Sequence, residues 1–217
     1  MRGLIERYVR EMVKIPSTSN TEMEKNCADY IAEELAKQPY FKVHPEQTGK
    51  YLLPEDSLGR SVPWGLVKGN GGSRKTIILT GHYDVVDTEE YGNERALAYD
   101  VEKWENLVKS GNVLPGMPDE VKEDFLSGDW MFGRGTADMK GGLSVGLVLL
   151  DWYGKIVAEA EGKASSVAVS EAEVASELGD ASGISGNLLF VTVPDEEGYS
   201  AGMRGAVPFL NEVKERF

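Results

Sequence analysis

The sequence predicts an α/β fold, a three-layer α/β/α sandwich around a mixed, mainly parallel sheet. Residues 76–80 (Thr-Ile-Ile-Leu-Thr) form a continuous run rich in β-branched side chains, which is typical of a strand covered on both faces. Such a strand needs helices above and below it, and helical patterns lie both before and after it. With 217 residues and 41% hydrophobic composition, the chain is long enough to bury one substantial core.

The N-terminal segment predicts two helices. Apolar residues recur on one helical face through residues 4–13, and a Pro-Ser-Thr sequence then breaks the pattern. A second helical pattern runs through residues 23–35. Thr21 and Glu24 form a capping box at its start, and Pro39 follows its end.

Two further strands and two further helices complete the predicted sandwich. Residues 62–68 and residues 187–193 (Asn-Leu-Leu-Phe-Val-Thr-Val) are predicted as interior strands. Residues 141–153 predict a buried helix, and residues 200–216 predict a closing helix.

Two segments lack a sustained period. Residues 87–129 are rich in Asp, Glu, Gly and Pro, and we interpret them as a long excursion with a short helix at 101–108. Residues 155–186 are a low-complexity Ala/Ser/Glu/Gly stretch, interpreted as an insertion. A weak helix at 170–178 and a disordered segment are the two alternatives for it, and we expect it to be the least ordered part of the chain.

Composition restricts partners and compartment. The formal charge of −13, from 23 basic and 36 acidic residues, argues against nucleic-acid binding. Cys27 is the single cysteine, so neither an internal disulfide nor a thiolate cluster can form. The N-terminus lacks the apolar core of a signal peptide, and the longest apolar stretch, residues 143–150, is too short to span a bilayer. We therefore predict a cytoplasmic protein without a membrane partner.

The first motif that carries chemistry is Gly-His-Tyr-Asp at residues 81–84, directly after the predicted strand 76–80. His82 can face a ligand while Asp84 reaches back to the other ring nitrogen, an arrangement that fixes the tautomer of a metal-bound imidazole. A solvated loop histidine is the competing interpretation of this motif by itself.

The second motif is Gly-Arg-Gly-Thr-Ala-Asp-Met-Lys-Gly-Gly at residues 133–142, which opens the helix predicted at 141–153. Its glycines permit unusual backbone angles and close approach. Asp138 could serve as an ordinary helix cap. A phosphate-binding loop is the other alternative, although the spacing matches neither of the common phosphate-binding patterns.

The third motif is Pro-Asp-Glu-Glu-Gly at residues 194–198, just after the predicted strand 187–193. Adjacent acids that follow an apolar strand need cations or water, and a solvated turn is the alternative. One histidine and several carboxylates at strand ends together suit zinc, manganese or cobalt.

These three motifs, in this order, resemble the zinc aminopeptidase-like hydrolases. That family includes the aminoacylases, acetylornithine deacetylase, succinyl-diaminopimelate desuccinylase and glutamate carboxypeptidase. Residues 39–41, 187–190 and 200–204 look most like its RocB-type members, which are associated with arginine utilisation. The resemblance runs from about residue 4 to residue 213, interrupted by the low-complexity stretch, and it implies a phosphorylase/hydrolase-like sandwich.

The resemblance assigns a role to each motif residue. His82 would bind one metal, Asp138 would bridge two metals, and Glu197 would bind the second metal. Asp84 would orient His82, and Glu196 would be the general base. The resemblance also implies a cis or otherwise unusual peptide bond between Asp138 and Met139.

The family has further parts that have no counterpart before Phe217. They are another carboxylate ligand, a late histidine, and a lid or dimerisation domain. His44, the other histidine, precedes the first motif and is a poor substitute. We therefore expect residues 1–217 to be the N-terminal part of a metallopeptidase-like catalytic domain. By itself this part should bind divalent metal weakly or not at all, and it should hydrolyse acyl-amino acids negligibly.

The function implied by the resemblance is metal-dependent hydrolysis of amide bonds in acylated amino acids or small peptides, RocB-like and in arginine catabolism. It would use two divalent metal ions, zinc being expected and cobalt or manganese the alternatives. The longer protein could be a homodimer. A non-catalytic fragment that acts as a binding module is the alternative from a different class. A two-metal phosphoesterase would need additional histidines that are absent.

Overall fold

The computed structural model describes residues 1–111, 116–160 and 185–216, and it places helices on both faces of a four-stranded sheet. In chain order the helices and strands are α1 (Arg2–Val13), α2 (Glu24–Lys37), α3 (Pro39–Val43), β1 (Thr48–Leu52), β2 (Ser61–Lys68), β3 (Thr76–His82), α4 (Val101–Ser110), α5 (Asp119–Ser127), α6 (Lys140–Ala160), β4 (Asn187–Val193) and α7 (Ala201–Val213). Short 3-10 helices lie at Pro45–Gln47, Glu89–Leu97 and Lys214–Arg216.

The sheet has the strand order β1-β2-β4-β3. Strand β2 pairs antiparallel with both β1 and β4, whereas β3 pairs parallel with β4. The predicted mixed sheet is therefore confirmed, but among the described strands only the β3–β4 pairing is parallel. The three predicted strands all form, and β1 is an additional strand that the sequence pattern did not indicate.

The composition of strand β3 predicted a strand covered on both faces, and this prediction is wrong. Ile77 is 67% exposed and Ile78 is 46% exposed. In the described part of the chain β3 is an edge strand, and only its last residues, Gly81 and His82, are buried. An apolar β-branched run therefore indicated a strand here without revealing its place in the sheet.

Two hydrophobic clusters fill the space between the three layers. One lies between the sheet and helices α1, α2, α3 and α6, and it includes Phe190 of β4. The other lies between the opposite face of the sheet and α7, and it includes Leu189 and Val191 of the same strand. Alternate residues of β4 thus point into opposite layers, as the twofold periodicity of a strand requires. The predicted sandwich is confirmed.

Helix α6 is the central helix of its layer. It contacts β2, β3 and β4, and Gly146 allows it to lie directly on Phe190, since a Cβ there would be 2.4 Å from a ring carbon. By length and composition α6 is the one helix among the described residues that could cross a membrane, but 56% of the relevant window is buried inside the protein. Core packing accounts for its apolar character.

The ends of two predicted helices differ from the sequence pattern. Helix α6 continues to Ala160 instead of ending at residue 153. Helix α2 begins without the predicted capping box. Thr21 Oγ1 accepts the backbone N–H of Met23 at 3.3 Å instead of that of Glu24, and Glu24 turns inward. Pro39 ends α2 as predicted and also starts α3.

The segment at residues 87–129 has a small core of its own. Leu97, Trp104 and Phe125 form a buried cluster there. Helix α4 confirms the short helix predicted within this segment, and α5 is additional. In the low-complexity stretch at 155–186, the first residues belong to α6. Residues 161–184, including the weak helix considered at 170–178, lie outside the described residues, so the insertion stays a prediction.

Candidate metal centre

The candidate centre begins where strands β3 and β4 end. These strands are parallel, and their register pairs His82 with Val193 at their carboxyl ends. The segments that follow, residues 83–85 and 194–197, therefore leave the sheet side by side. This is the edge at which open α/β sheets generally bind ligands. The first and third sequence motifs meet here.

His82 contacts acidic residues through both ring nitrogens. Its Nδ1 lies 3.0 Å from the carbonyl oxygen of Asp84, and its Nε2 lies 2.9 Å from Asp138 Oδ1 and 3.6 Å from Glu196 Oε2. Burial lowers the pKa of His82, but the hydrogen bonds to Asp84 and Asp138 outweigh burial and raise the pKa to about 9. The acidic surroundings therefore favour a positive charge at this position.

Asp84 holds the centre together in a way that the sequence did not predict. The expected contact between its carboxylate and His82 Nδ1 is the longer one, at 3.5 Å, because the carbonyl oxygen of Asp84 lies nearer to that nitrogen. The buried carboxylate instead accepts the backbone N–H groups of Glu196 at 3.0 Å and Glu197 at 3.1 Å. Burial raises the pKa of Asp84, but His82 and these N–H groups outweigh it and hold the pKa below its usual value. Asp84 thus connects the end of β3 to residues 194–198 after β4, which we call the acidic turn.

The second motif delivers Asp138 from the loop that leads into α6. The side chain of Asp138 is 76% exposed, and its peptide bond to Met139 is cis, as the resemblance implied. Gly81 permits the loop to approach β3, since a Cβ there would lie 2.6 Å from Met139 Cε. The loop therefore presents a solvent-facing carboxylate directly opposite His82.

Lys140, the next residue but one after Asp138, connects this loop to the end of α1. Its fully buried ammonium donates hydrogen bonds to the carbonyl oxygens of Met12 at 3.0 Å and Ile15 at 2.8 Å. Burial lowers the pKa of Lys140. The lysine of the second motif thus joins α6 to the C-terminal end of α1 instead of facing the centre.

The acidic turn supplies two more carboxylates. Ligand atoms of His82, Glu196 and Glu197 all lie within 4.8 Å of one another. Burial and the charge of Asp138 raise the pKa of Glu197. Asp138 and Glu197 also line one open pocket of about 380 Å³, to which Arg134 contributes a positive charge. Of the five side chains that the sequence motifs had suggested, His82, Asp138, Glu196 and Glu197 thus converge, and the buried Asp84 lies next to them.

The donor set fits a divalent metal. One imidazole and three carboxylates converge, and carboxylates in such proximity repel one another unless cations compensate their charge. Imidazole with carboxylate oxygens suits zinc, manganese or cobalt. Of the two histidines, only His82 belongs to the group. His44 packs against the ring of Tyr40, with the ring centroids 4.6 Å apart.

Sequence reasoning missed a buried ionic network directly behind the acidic turn. It consists of Glu24, Asp56, Arg60 and Asp195. Glu24 was interpreted as a helix cap, and Asp195 was seen only as part of an acidic motif. Nothing in the sequence around Arg60 indicated burial, because a single arginine in a turn-rich segment is usually solvated.

Comparison with known proteins supports the same family. No protein-family model matches the chain. The chain is 29% identical over 211 residues to protein RocB and 35% identical over 206 residues to the uncharacterised protein YqjN, both of Bacillus subtilis (strain 168). These alignments cover 97% and 94% of this chain but 32% of each relative, so the chain spans about a third of the length of both relatives.

Solved structures show the shared fold. Human carnosine dipeptidase 1 overlays with a TM-score of 0.54 at 15% identity, covering 98% of this chain and 35% of that chain. The M20 family metallo-carboxypeptidase Sso-CP2 from Sulfolobus solfataricus has a TM-score of 0.49 at 17% identity and 98% and 35% coverage, an overlay too weak to carry weight by itself. The chain is therefore similar in sequence to RocB and YqjN, spans about a third of their length, and shares its fold with a human dipeptidase.

Proposed function

We propose that this chain supplies the metal-binding and general-base residues of a hydrolase that cleaves amide bonds in acylated amino acids or small peptides. The observation that carries the proposal is the convergence of His82, Asp138, Glu196 and Glu197 at the carboxyl ends of two parallel strands. The relationship to RocB supports a role in arginine catabolism. The small open pocket beside Asp138 suits a small-molecule substrate.

Three side chains would hold the metal ions. His82 would bind one ion, Glu197 would bind a second, and the exposed carboxylate of Asp138 would bridge them. Two divalent cations, zinc in the first instance, would acidify a bound water and polarise the scissile carbonyl. Asp84 would orient His82 and, through its two backbone hydrogen bonds, hold Glu196 and Glu197 at the correct spacing.

Glu196 would be the general base. Its side chain is 51% exposed, and its carboxylate oxygen lies 3.6 Å from His82 Nε2, so it can reach a water at the centre while facing solvent. A base must keep one oxygen free for the attacking water, whereas a metal ligand cannot. The two neighbouring glutamates therefore divide the two tasks.

We also propose that residues 1–217 act as the N-terminal part of a larger catalytic domain, consistent with an alignment to about a third of RocB and YqjN. Of the two histidines only His82 lies at the centre, so the residues present give each metal few protein ligands. By itself the 217-residue chain should therefore bind divalent metal weakly and turn over acyl-amino acids negligibly. The single buried, unpaired Cys27 is consistent with a cytoplasmic location. A homodimer of the longer protein is part of the same proposal.

Titration of the chain with Co²⁺, followed by its visible absorption, tests the metal centre. Weak binding is expected for the wild-type chain and for Glu196→Gln, because the general base is not a ligand. His82→Ala and Asp138→Ala should abolish the signal. Wild-type absorption that persists in both of these variants would contradict the proposed centre.

Hydrolysis of N-acetylated amino acids tests the chemistry. A version extended to the length of the relatives should be active with Zn²⁺, and Glu196→Gln in that version should lose turnover while retaining metal. Metal binding without turnover in the extended version would favour the non-catalytic binding module. Turnover by the 217-residue chain itself would contradict its expected inactivity.

A further inference from the structure

The acidic turn is supported from behind by a buried carboxylate on helix α2. Glu24 is fully buried, although it lies in the first turn of its helix. Its Oε1 accepts the backbone N–H of Asn20 at 2.9 Å and Nη1 of Arg60 at 3.0 Å. Its Oε2 accepts the backbone N–H of Asp195 at 2.9 Å. Glu24 thus reaches the residue that immediately precedes Glu196.

Arg60 is the only cation in the ion pairs recorded for this network, and it contacts all three acids. It is 5% exposed. Its Nη1 lies 3.4 Å from Asp195 Oδ1, and its Nη2 lies 2.7 Å from Asp56 Oδ1. Because a guanidinium presents its donors in a rigid planar fork, Arg60 sets the relative positions of these carboxylates and offsets part of their charge.

Asp195 is the point at which the network meets the centre. Its φ is +60°, in the left-handed region that a side chain other than glycine seldom adopts. Its Oδ2 accepts the N–H of Ala201 at 2.9 Å and its carbonyl accepts the N–H of Ser200 at 2.6 Å, so the turn is closed onto the start of α7. The backbone direction at Asp195 determines where Glu196 and Glu197 point.

We propose that Glu24 and Arg60 are positioning residues of the metal centre: by holding Asp195 in its left-handed conformation, they aim Glu196 and Glu197 at His82. Asp84 grips the same turn from the opposite side, through the N–H groups of both glutamates. The turn is therefore clamped between two buried carboxylates. The inference rests on the proposed function, because it concerns the same centre.

A purely stabilising role explains this arrangement poorly. Burying several charges costs free energy, and well-packed apolar residues commonly stabilise a core at least as well. The same helix contains a second buried glutamate, Glu34, which is 6% exposed and is paired with Arg7 and Lys37. The ion-pair partners of Glu34 lie on α1 and α2 instead of in the acidic turn, so Glu34 provides a matched control within α2.

Glu24→Gln is the decisive variant. A carboxamide has a single acceptor oxygen, whereas Glu24 accepts hydrogen bonds through both oxygens. In either orientation its NH₂ group would face a donor, either Arg60 or the N–H of Asp195, so one of the two hydrogen bonds that join Arg60 to the turn through this side chain is lost. Measurements near pH 8 keep the wild-type carboxylate ionised, since burial raises the pKa of Glu24 to about 7 against the opposing effect of Arg60.

Two measurements distinguish a positioning role of Glu24 from a purely stabilising one. In ¹⁵N–¹H spectra of the metal-free chain, Glu24→Gln should shift the amide signals of residues 195–197, whereas Glu34→Gln should leave them in place. Co²⁺ affinity should fall roughly 10–100-fold in Glu24→Gln and stay at the wild-type value in Glu34→Gln. Equal effects of both variants, or unshifted turn amides in Glu24→Gln, would overturn the inference.

The two hypotheses can fail separately. Absence of Co²⁺ binding by the wild-type chain would contradict the proposed function, while the amide shifts would still decide the positioning role. If Glu24→Gln does not fold, Arg60→Lys supplies the test, because it retains the charge but loses the fork. It should shift the same three amides, and an unchanged spectrum would overturn the inference.

Discussion

The two sides of the candidate metal centre differ in how the charges of their acidic side chains are compensated. At the back, Glu24, Asp84 and Asp195 are almost completely buried, and Arg60, His82 and backbone N–H groups offset their charge. At the front, the side chains of Asp138 and Glu196 are 76% and 51% exposed. These front acids face one another and Glu197 around the imidazole of His82.

Because of this difference, we expect the back and the front to contribute differently to stability and to metal binding. The back is an ionic structure whose charges are mostly paired within the protein, although Asp195 Oδ1 has only the ion pair with Arg60 at 3.4 Å and no hydrogen bond. The front concentrates negative charge that only water, a proton or cations can compensate. Substitutions at the back should therefore act on stability and, through the position of the acidic turn, on metal binding, whereas substitutions at the front should act on metal binding with little effect on stability.

The largest expected effect is at the back. Arg60→Met should lower the free energy of unfolding by about 3–5 kcal/mol, because it leaves three carboxylates without their cation in a buried site. Arg10→Met removes a partly exposed ion pair with Glu105 and should cost at most about 1 kcal/mol. Urea unfolding followed by circular dichroism measures both. If Arg60→Met lowers the free energy of unfolding as little as Arg10→Met does, the proposed difference between back and front is wrong.

Asp84→Asn should have the next largest effect. The amide NH₂ would face a backbone N–H at the position of one carboxylate oxygen, which costs about 1–3 kcal/mol for a buried unpaired group. Asp100→Asn is the control, because Asp100 caps α4 at the surface and Asn is an equally good cap. Chemical denaturation should show a clear loss for the first variant and almost none for the second. Equal stability of the two would show that the Asp84 bridge contributes little.

His82, which lies between back and front, contributes to the pH dependence of the stability of the metal-free chain. Because the pKa of His82 is raised from 6.5 to about 9 in the folded protein, the folded state binds more protons than the unfolded state between these values. This contribution to stability is complete below about pH 6.5 and is lost as the pH rises through about 9.

NMR titration of the His82 ring protons measures this pKa directly. Divalent metal binding should release a proton below about pH 9, because a metal-bound imidazole is deprotonated. The proton release should disappear in His82→Ala. A ring pKa near the ordinary value of about 6.5 would contradict the electrostatic description of the front.

The smallest effect on stability is expected at the front. Glu197→Gln should change the free energy of unfolding by no more than about 0.5 kcal/mol, and in the stabilising direction, because it removes one of several mutually repelling acids. The same variant should lose Co²⁺ binding. Denaturation and metal titration on one preparation test both parts. A large loss of stability would show that the front acids also support the fold.

The sequence by itself determined most of the elements and the membership of the centre. Strand β4 forms at the predicted residues, β2 and β3 extend the predicted runs by only a few residues, and α1 follows its predicted face. Periodicity is a local property, so it survives without knowledge of neighbours. The sequence also predicted that the three motifs converge, because each follows the end of a strand or opens a helix.

Tertiary structure decided the rest. Ile77 and Ile78 carry the composition of an interior strand, but strand order places them at an exposed edge of the described sheet. Glu24 has the spacing of a helix cap, yet Arg60 draws it inward, because a guanidinium distant in sequence can satisfy a buried carboxylate that a local cap cannot. The carboxylate of Asp84 accepts its hydrogen bonds from the turn after β4, and its contact with His82 is the longer one. Such partners are fixed only when the strands come together, and no local pattern records which donors will then lie within reach of a buried acid.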